Sequence, residues 1–204
     1  MRYTGPKARQ CRREGVNLFG SVKYQKLLGR SPNIPGMHGA KRMPKQTEFG
    51  KQLREKQKAK RMFALSEKQF KKYFDKADKS KAVTGDKLLE SLERRLDNAI
   101  YRAGLAMTRM QSRQFASHGL FMVNGRRVDV PSIELRIGDV IEVRARSKKS
   151  PVFKDIIEEN AAYDVPDWLK LDKKKLSFEV VALPESKHFE SLINVQPIVE
   201  FYSR

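Results

Sequence analysis

The chain has 204 residues, 39% of them hydrophobic and 33% charged, with 43 Lys and Arg against 24 Asp and Glu and a formal net charge of +19. That length fits one large or two small domains, and so large an excess of positive charge calls for a polyanionic partner, a phosphate backbone first and an anionic membrane surface second. One cysteine, Cys11, excludes an intrachain disulfide framework and a multi-cysteine zinc site, and no apolar run approaches the ~20 residues that span a bilayer.

The charge is graded along the chain. Residues 1–65 hold 17 basic and 3 acidic residues, residues 66–150 hold 19 and 11, and residues 151–204 hold 7 and 10. The N-terminal third is the most electropositive, and the last quarter is expected to face away from phosphate or towards a protein. Met1-Arg2-Tyr3-Thr4-Gly5-Pro6 lacks the apolar stretch of a secretory signal, so a soluble protein of a reducing compartment is the default expectation.

Residues 1–46 read as a basic extended arm, because Gly and Pro punctuate them too often for long helices. From residue 47 to 78 the pattern turns helical. Gln52 to Arg61 are mostly strong helix formers, and Ser66 followed by Gln69 is a capping-box signal. Phe70, Tyr73, Phe74 and Ala77 then recur at i, i+3, i+4, i+7, which reads as a core-facing stripe rather than a base-stacking surface. Thr84-Gly85-Asp86 breaks this run and starts a new one. Leu88, Leu89, Leu92, Leu96, Ala99 and Ala103 mark the buried side of one or two helices, with Arg94, Arg95, Asn98 and Arg102 beside the stripe on a helical wheel.

Thr108 and Gln111 make a second capping box, and Arg109 and Arg113 project from one helix face at i, i+4. His118-Gly119 is a helix stop. Phe121-Met122-Val123, Asn124-Gly125 and Arg126-Arg127-Val128 form a hairpin signal, since Asn-Gly accepts the positive φ of a tight turn. Gly138-Asp139 turns the chain into a strand at Val140–Val143, and a basic tail follows to Lys149. Phe153 to Tyr163 reads as a helix and Leu176 to Val181 as an alternating strand. Pro197 to Arg204 begins with proline in a first helical turn and is apolar enough to dock.

The block from Arg94 to Lys149 is similar to the small RNA-binding domain named after small-subunit ribosomal protein four, which also occurs in pseudouridine synthases, some tyrosyl-tRNA synthetases and heat-shock RNA-binding proteins. The matching pieces are Arg95-Leu96-Asp97, Thr108-Arg109, Ser117-His118-Gly119, Val123-Asn124-Gly125 and Gly138-Asp139-Val140-Ile141. Beyond that domain, Met1–Pro6, Arg12-Arg13-Glu14-Gly15, Pro35-Gly36-Met37-His38-Gly39, Phe49 to Lys58 and Ile198 to Arg204 resemble the bacterial-type family of the ribosomal protein itself, nearly end to end.

The resemblance implies an α+β fold: a mostly helical domain with an inserted small RNA-binding domain of helices packed on an antiparallel sheet. The expected layout is an arm at 1–46, a helical domain from 47–90 plus 180–204, and the inserted domain at 91–179. It further implies a structural, non-enzymatic protein without a cofactor. Such a protein binds small-subunit rRNA at a multi-helix junction early in assembly. It lies on the ribosome, cytoplasmic or organellar, beside neighbouring small-subunit proteins and the channel through which mRNA enters, and some relatives repress their own operon. Many relatives carry four arm cysteines that bind zinc. With Cys11 alone, this chain resembles a zinc-free version, its arm expected to be ordered by RNA. The rival readings are the targeting module of an RNA-modifying enzyme, a translational repressor of its own operon, and a membrane-surface or general DNA binder.

Arginine binds phosphate bidentately and stacks on bases, so the clustered Arg94, Arg95, Arg102, Arg109 and Arg113 are the first candidates for RNA contact. In the arm, Arg2, Tyr3, Lys7, Arg9, Arg12 and Arg13 have no helix to solubilise. Lys51, Arg54, Lys56, Lys58, Lys60 and Arg61 are candidates from the basic helix, some of which will only be solvated. The resemblance adds Lys41, Arg42 and Lys45 near the messenger channel. His118, Asn124, Arg126, Arg127, Arg144, Arg146 and Lys148 complete the platform. Asp97 superficially matches the surroundings of a pseudouridine synthase catalytic aspartate, but a local structural bond is the better reading. There is no Gly-rich phosphate loop and no nucleophile beside a base.

Overall fold

The computed structural model describes residues 3, 5–40, 45–148, 150–159 and 163–203. The chain divides into two compact units, residues 1–87 with 190–204, and residues 88–189.

The first unit is helical. Its helices are α1 (Lys7–Glu14), α2 (Val22–Arg30), α3 (Glu48–Met62), α4 (Glu67–Asp78) and, from the other end of the chain, α10 (Gln196–Tyr202). Thr47 caps α3 by accepting from the Gly50 N–H at 3.1 Å. At Ser66 the expected capping box forms, with Ser66 and Gln69 satisfying each other's backbone N–H groups. The stripe from Phe70 is core as read: Phe70, Phe74 and Ala77 are buried. Tyr202 closes over it with ring centroids 4.6 Å from Phe74 and 6.3 Å from Phe70. The tail therefore docks, and Gly85 shows how closely, because a Cβ there would meet Val195 Cγ1 at 2.6 Å.

The N-terminal segment is not the extended arm expected. Two helices form in it, and Cys11 is fully buried with Leu18 beside it in the core. The glycines that argued against helices punctuate them instead. Gly15 ends α1 with φ +71°, a left-handed conformation that glycine adopts without steric cost. In its described residues the arm packs within its own unit, α1 lying on α3.

The second unit is α+β. It contains α6 (Leu96–Arg102), α7 (Arg109–Ser117), α8 (Ala145–Lys148) and α9 (Pro151–Glu159). The preceding helix α5 (Thr84–Glu93) contains the boundary between the units. The sheet is antiparallel, with strands β1 (Phe121–Val123), β2 (Arg126–Val128), β3 (Val140–Val143), β4 (Leu169–Asp172) and β5 (Ser177–Val180) in the order β2-β1-β3-β5-β4. Asn124 (φ +50°) and Gly125 (φ +75°) make the tight hairpin turn, as the Asn-Gly signal predicts. Alternation puts Ile141, Val143, Phe178 and Val180 on the core face, with Val140 and Glu179 outward. They pack with Leu96, Ile100, Phe121, Leu135, Phe153 and Trp168. β4 was not anticipated: Leu169 and Leu171 alternate over too short a run beside lysines to stand out. This unit ends at Phe189, beyond the expected limit of 179, because the Val181 N–H donates to the Trp168 carbonyl at 3.0 Å and carries the chain past β5.

Candidate nucleic-acid interface

The helical wheel that aligned Arg94, Arg95, Asn98 and Arg102 assumes one continuous helix. The chain breaks instead between α5 and α6, with Arg95 extended (φ −65°, ψ 140°) at the N-cap of α6 and bridged to Glu134. The break turns Arg95 inward, where it is 1% exposed. Its Nε donates to Asp97 Oδ1 at 3.0 Å and its Nη2 to Asp97 Oδ2 at 2.7 Å, a two-point buried ion pair. Arg113 reaches the same carboxylate at 3.4 Å, and the Ser112 hydroxyl donates to the Asp97 carbonyl. Asp97 is thus the local structural anchor it was read to be, tying α6 to α7.

A second carboxylate does the same work one turn away. Glu93 is 1% exposed and accepts from Arg102 Nε at 2.9 Å, Arg102 Nη2 at 2.8 Å and Asn98 Nδ2 at 2.6 Å. Asn98 Oδ1 in turn accepts from Arg109 Nε at 2.7 Å, and the Arg109 guanidinium lies over the Tyr101 ring at 4.5 Å. Arg94 donates to Glu90 and to the Leu135 carbonyl. All five arginines expected on the RNA face are engaged within the unit. Arg95 is removed from that face outright, and the other four keep partial exposure.

The six cations expected on α3 are likewise held. Lys51 pairs with Glu48 (2.6 Å), Lys56 and Lys60 with Glu67 (2.7 and 2.8 Å), Lys58 with Glu55, and Arg54 (3.2 Å) and Arg61 with Glu14. Burial pushes the Glu14 carboxyl above its ordinary value even though Arg54 and Arg61 pull it down. Burial also lowers the Arg54 guanidinium, with Glu14 opposing. At Glu67 burial raises the carboxyl, but hydrogen bonds from Lys56, Lys60 and Tyr202 outweigh it and hold the group at about 2. The Tyr202 hydroxyl is raised by burial and by the bond it donates to Glu67. Lys56 lies 4.2 Å from the centre of the Phe201 ring, so this side chain is packing as well as charge.

The hairpin keeps its arginines outward. Arg126 and Arg127 are exposed on β2, at the edge of the sheet. The Asn124 side chain is used in the turn, donating to Asp139 and accepting from the Val140 N–H. Arg144 donates to the Gly119 carbonyl at 3.1 Å. His118 is the exposed C-cap of α7. Arg146 is exposed and Lys148 half-buried on α8.

In the first unit Arg9, Arg13 and Lys45 are exposed. Lys7 approaches the Phe19 ring, Arg12 donates to the Asn33 carbonyl, and Tyr3 donates to the Pro6 carbonyl. Arg12, Arg13, Arg54 and His38 line a cleft of about 850 Å³ with Ile34 and Met37. Arg2, Lys41 and Arg42 lie outside the described residues. No lysine of α4 or of its C-cap is among the candidates named from sequence, although Lys68, Lys71, Lys72, Lys76 and, at the C-cap, Lys79 are all exposed. The signal was available, since these residues lie opposite the Phe70 stripe that the same reading identified. No described group of His, Cys, Asp and Glu is arranged to hold a metal ion, and no described helix is long and apolar enough to cross a membrane.

Residues 2–93 match the family described as "Ribosomal protein S4/S9 N-terminal domain", and residues 94–141 match the S4 domain. Similar curated proteins include the "Small ribosomal subunit protein uS4" of Syntrophomonas wolfei, 46% identical over all of this chain and 99% of its own length. Proteins of the same name from Solidesulfovibrio magneticus and Halothermothrix orenii are each 47% identical over the same shares.

Proposed function

Since the chain belongs to the uS4 family of small ribosomal subunit proteins, we propose that it is a structural protein of that subunit, not an enzyme, and that it binds small-subunit rRNA at a multi-helix junction and nucleates assembly there. The observation that carries the reading is the match to relatives so named over all of this chain and 99% of their own length. In this reading the protein sits among neighbouring small-subunit proteins and beside the channel through which mRNA enters.

The exposed cations supply the affinity. Arg126 and Arg127 on the sheet edge, Arg146 on α8, and Arg9 and Arg13 on α1 are presented to solvent. Neutralising phosphates with such groups releases counterions and makes binding steeply salt-dependent. The networks around Asp97 and Glu93 hold the two helices of the RNA-binding domain at a fixed distance, and specificity follows from RNA shape more than from base sequence. Fixed donors lose less entropy on binding than mobile ones.

The test is binding of the purified chain to a transcript of the five-prime domain of small-subunit rRNA across a salt series, with an unrelated structured RNA as competitor. A large preference for the ribosomal transcript, with log affinity falling by roughly 0.7 to 0.9 per decade of salt for each phosphate contact, is expected. A steep slope without preference would reduce the chain to a general polyanion binder.

A further inference from the structure

We propose that the outward face of α4 and its C-cap is a second RNA-docking surface, which holds the phosphate backbone of the ribosomal RNA through Lys68, Lys71, Lys72 and the C-cap Lys79. It rests on the function proposed above and adds to it a place on the molecule that neither the motifs nor the family match assigns.

The helix is fixed in rotation. Phe70, Phe74 and Ala77 are buried on one side, Tyr202 stacks against that side, and the Ser66–Gln69 box locks the first turn. At about 100° per residue, Lys68, Lys72 and Lys79 then fall along one line opposite the buried stripe, with Lys71 beside it. At 1.5 Å per residue that line is about 16 Å long.

Exposed lysines on a helix are commonly only solvated, and the neighbouring helix supplies the contrast. Every candidate cation on α3 closes on a glutamate. On α4, Asp75 stands four residues from both Lys71 and Lys79, the spacing at which helical ion pairs form. Yet none of Lys68, Lys71, Lys72 and Lys79 makes an ion pair among the described residues. Glu67, the acid at the start of α4, is committed to Lys56, Lys60 and Tyr202. Like charges at i, i+4, such as Lys68 and Lys72, cost a few tenths of a kcal/mol in an isolated helix. A line of phosphates relieves that repulsion. Lysine is a point charge on a flexible stem, suited to backbone phosphate, and phosphate contacts position a nucleic acid without reading its sequence directly. The surface therefore positions RNA without choosing its sequence.

The experiment uses the full chain with Lys68→Gln, Lys71→Gln, Lys72→Gln and Lys79→Gln combined, titrated with the five-prime-domain transcript across the same salt series. The midpoint of urea unfolding should match the parent, since none of the four packs in the core. The salt slope should fall by about 3 in all, and affinity at physiological salt by about tenfold or more. The corresponding four-arginine variant should restore both. An unchanged slope, with the preference for ribosomal RNA intact, overturns the α4 surface and leaves the proposed function standing. A parent chain with no preference for the ribosomal transcript overturns the proposed function, and this assignment with it. A glutamine variant that binds RNA as the parent does but fails to enter reconstituted subunits gives the face to a protein partner and also overturns the proposal.

Discussion

Helices α3 and α4 follow one another in the chain, both rich in lysine, and they use their charge in opposite ways. On α3 the cations are spent inside the unit: Glu14, Glu55 and Glu67 take up Arg54, Arg61, Lys58, Lys56 and Lys60. On α4 the lysines stand on the face opposite Phe70 and Phe74, and the glutamate at its start is turned back towards α3. The number of basic residues in a segment therefore says little about how many are available to phosphate. What matters is where the acids of the same unit lie, and Glu14 lies 40 residues from Arg54 in sequence. Within the RNA-binding domain the same contrast separates Arg95, buried on Asp97, from Arg126 and Arg127 on the sheet edge.

The sharpest way to break this comparison is at Arg95. Replacing it with alanine leaves a buried carboxylate with only the longer Arg113 contact, and removing one partner of a buried pair costs about 3 kcal/mol or more. Urea unfolding should register that loss in the second unit. If stability is unchanged and RNA affinity falls instead, the arginine is an RNA ligand after all.

Next in size is the pair Arg126→Gln with Arg127→Gln. RNA affinity should drop by about tenfold, with a salt slope smaller by roughly 1.5, while the unfolding curve stays within about 0.5 kcal/mol of the parent. A matching loss of stability would mean that the edge arginines are structural like their buried counterparts.

Glu67→Gln comes third. Glu67 is about half exposed, so solvent screening keeps its contribution to about 1 kcal/mol or less. Its pH dependence is nonetheless distinctive. The folded carboxyl sits at about 2, below the unfolded value of about 4.3. A depressed acid contributes its stability fully above the unfolded value and loses it as pH falls towards the folded one. The gap between parent and variant should therefore be constant above about pH 5 and shrink as pH drops towards 2. A gap that widens on acidification would contradict the pairing.

The smallest effect is expected at Lys51, whose pair with Glu48 is exposed. Lys51→Gln should change stability by less than about 0.5 kcal/mol and the salt slope by no more than one contact. A larger slope change would place α3 on the RNA face beside α4.

The local signals proved legible where the physics was local. The Ser66 capping box, the Phe70 stripe, the Asn124-Gly125 turn and the strand at Val140 depend on residues within a few positions of one another, and each formed as read. The short helices of the arm were missed because helix-stopping glycines were taken as evidence against helices, when Gly15 ends one. β4 was missed because an edge strand of four residues carries little periodicity of its own. Of the candidate site, the identity of the basic segments was legible, but the state of each side chain was not. Arg94, Arg95 and Arg102 share a wheel only if α5 continues through residue 95, and the break there depends on the Leu96 and Asp97 N–H groups finding the carbonyls of Ile133 and Pro131.

By itself the sequence determined the family, the α+β class, the excess of positive charge and most helix starts, because composition, motif order and capping chemistry are written in neighbouring residues. Only the tertiary structure decided which cations are bound within the protein and which face outward. An ion pair forms wherever folding brings a carboxylate within about 4 Å, and the distance along the chain between Glu14 and Arg61, or between Tyr202 and Glu67, is invisible to any pattern read from neighbouring positions.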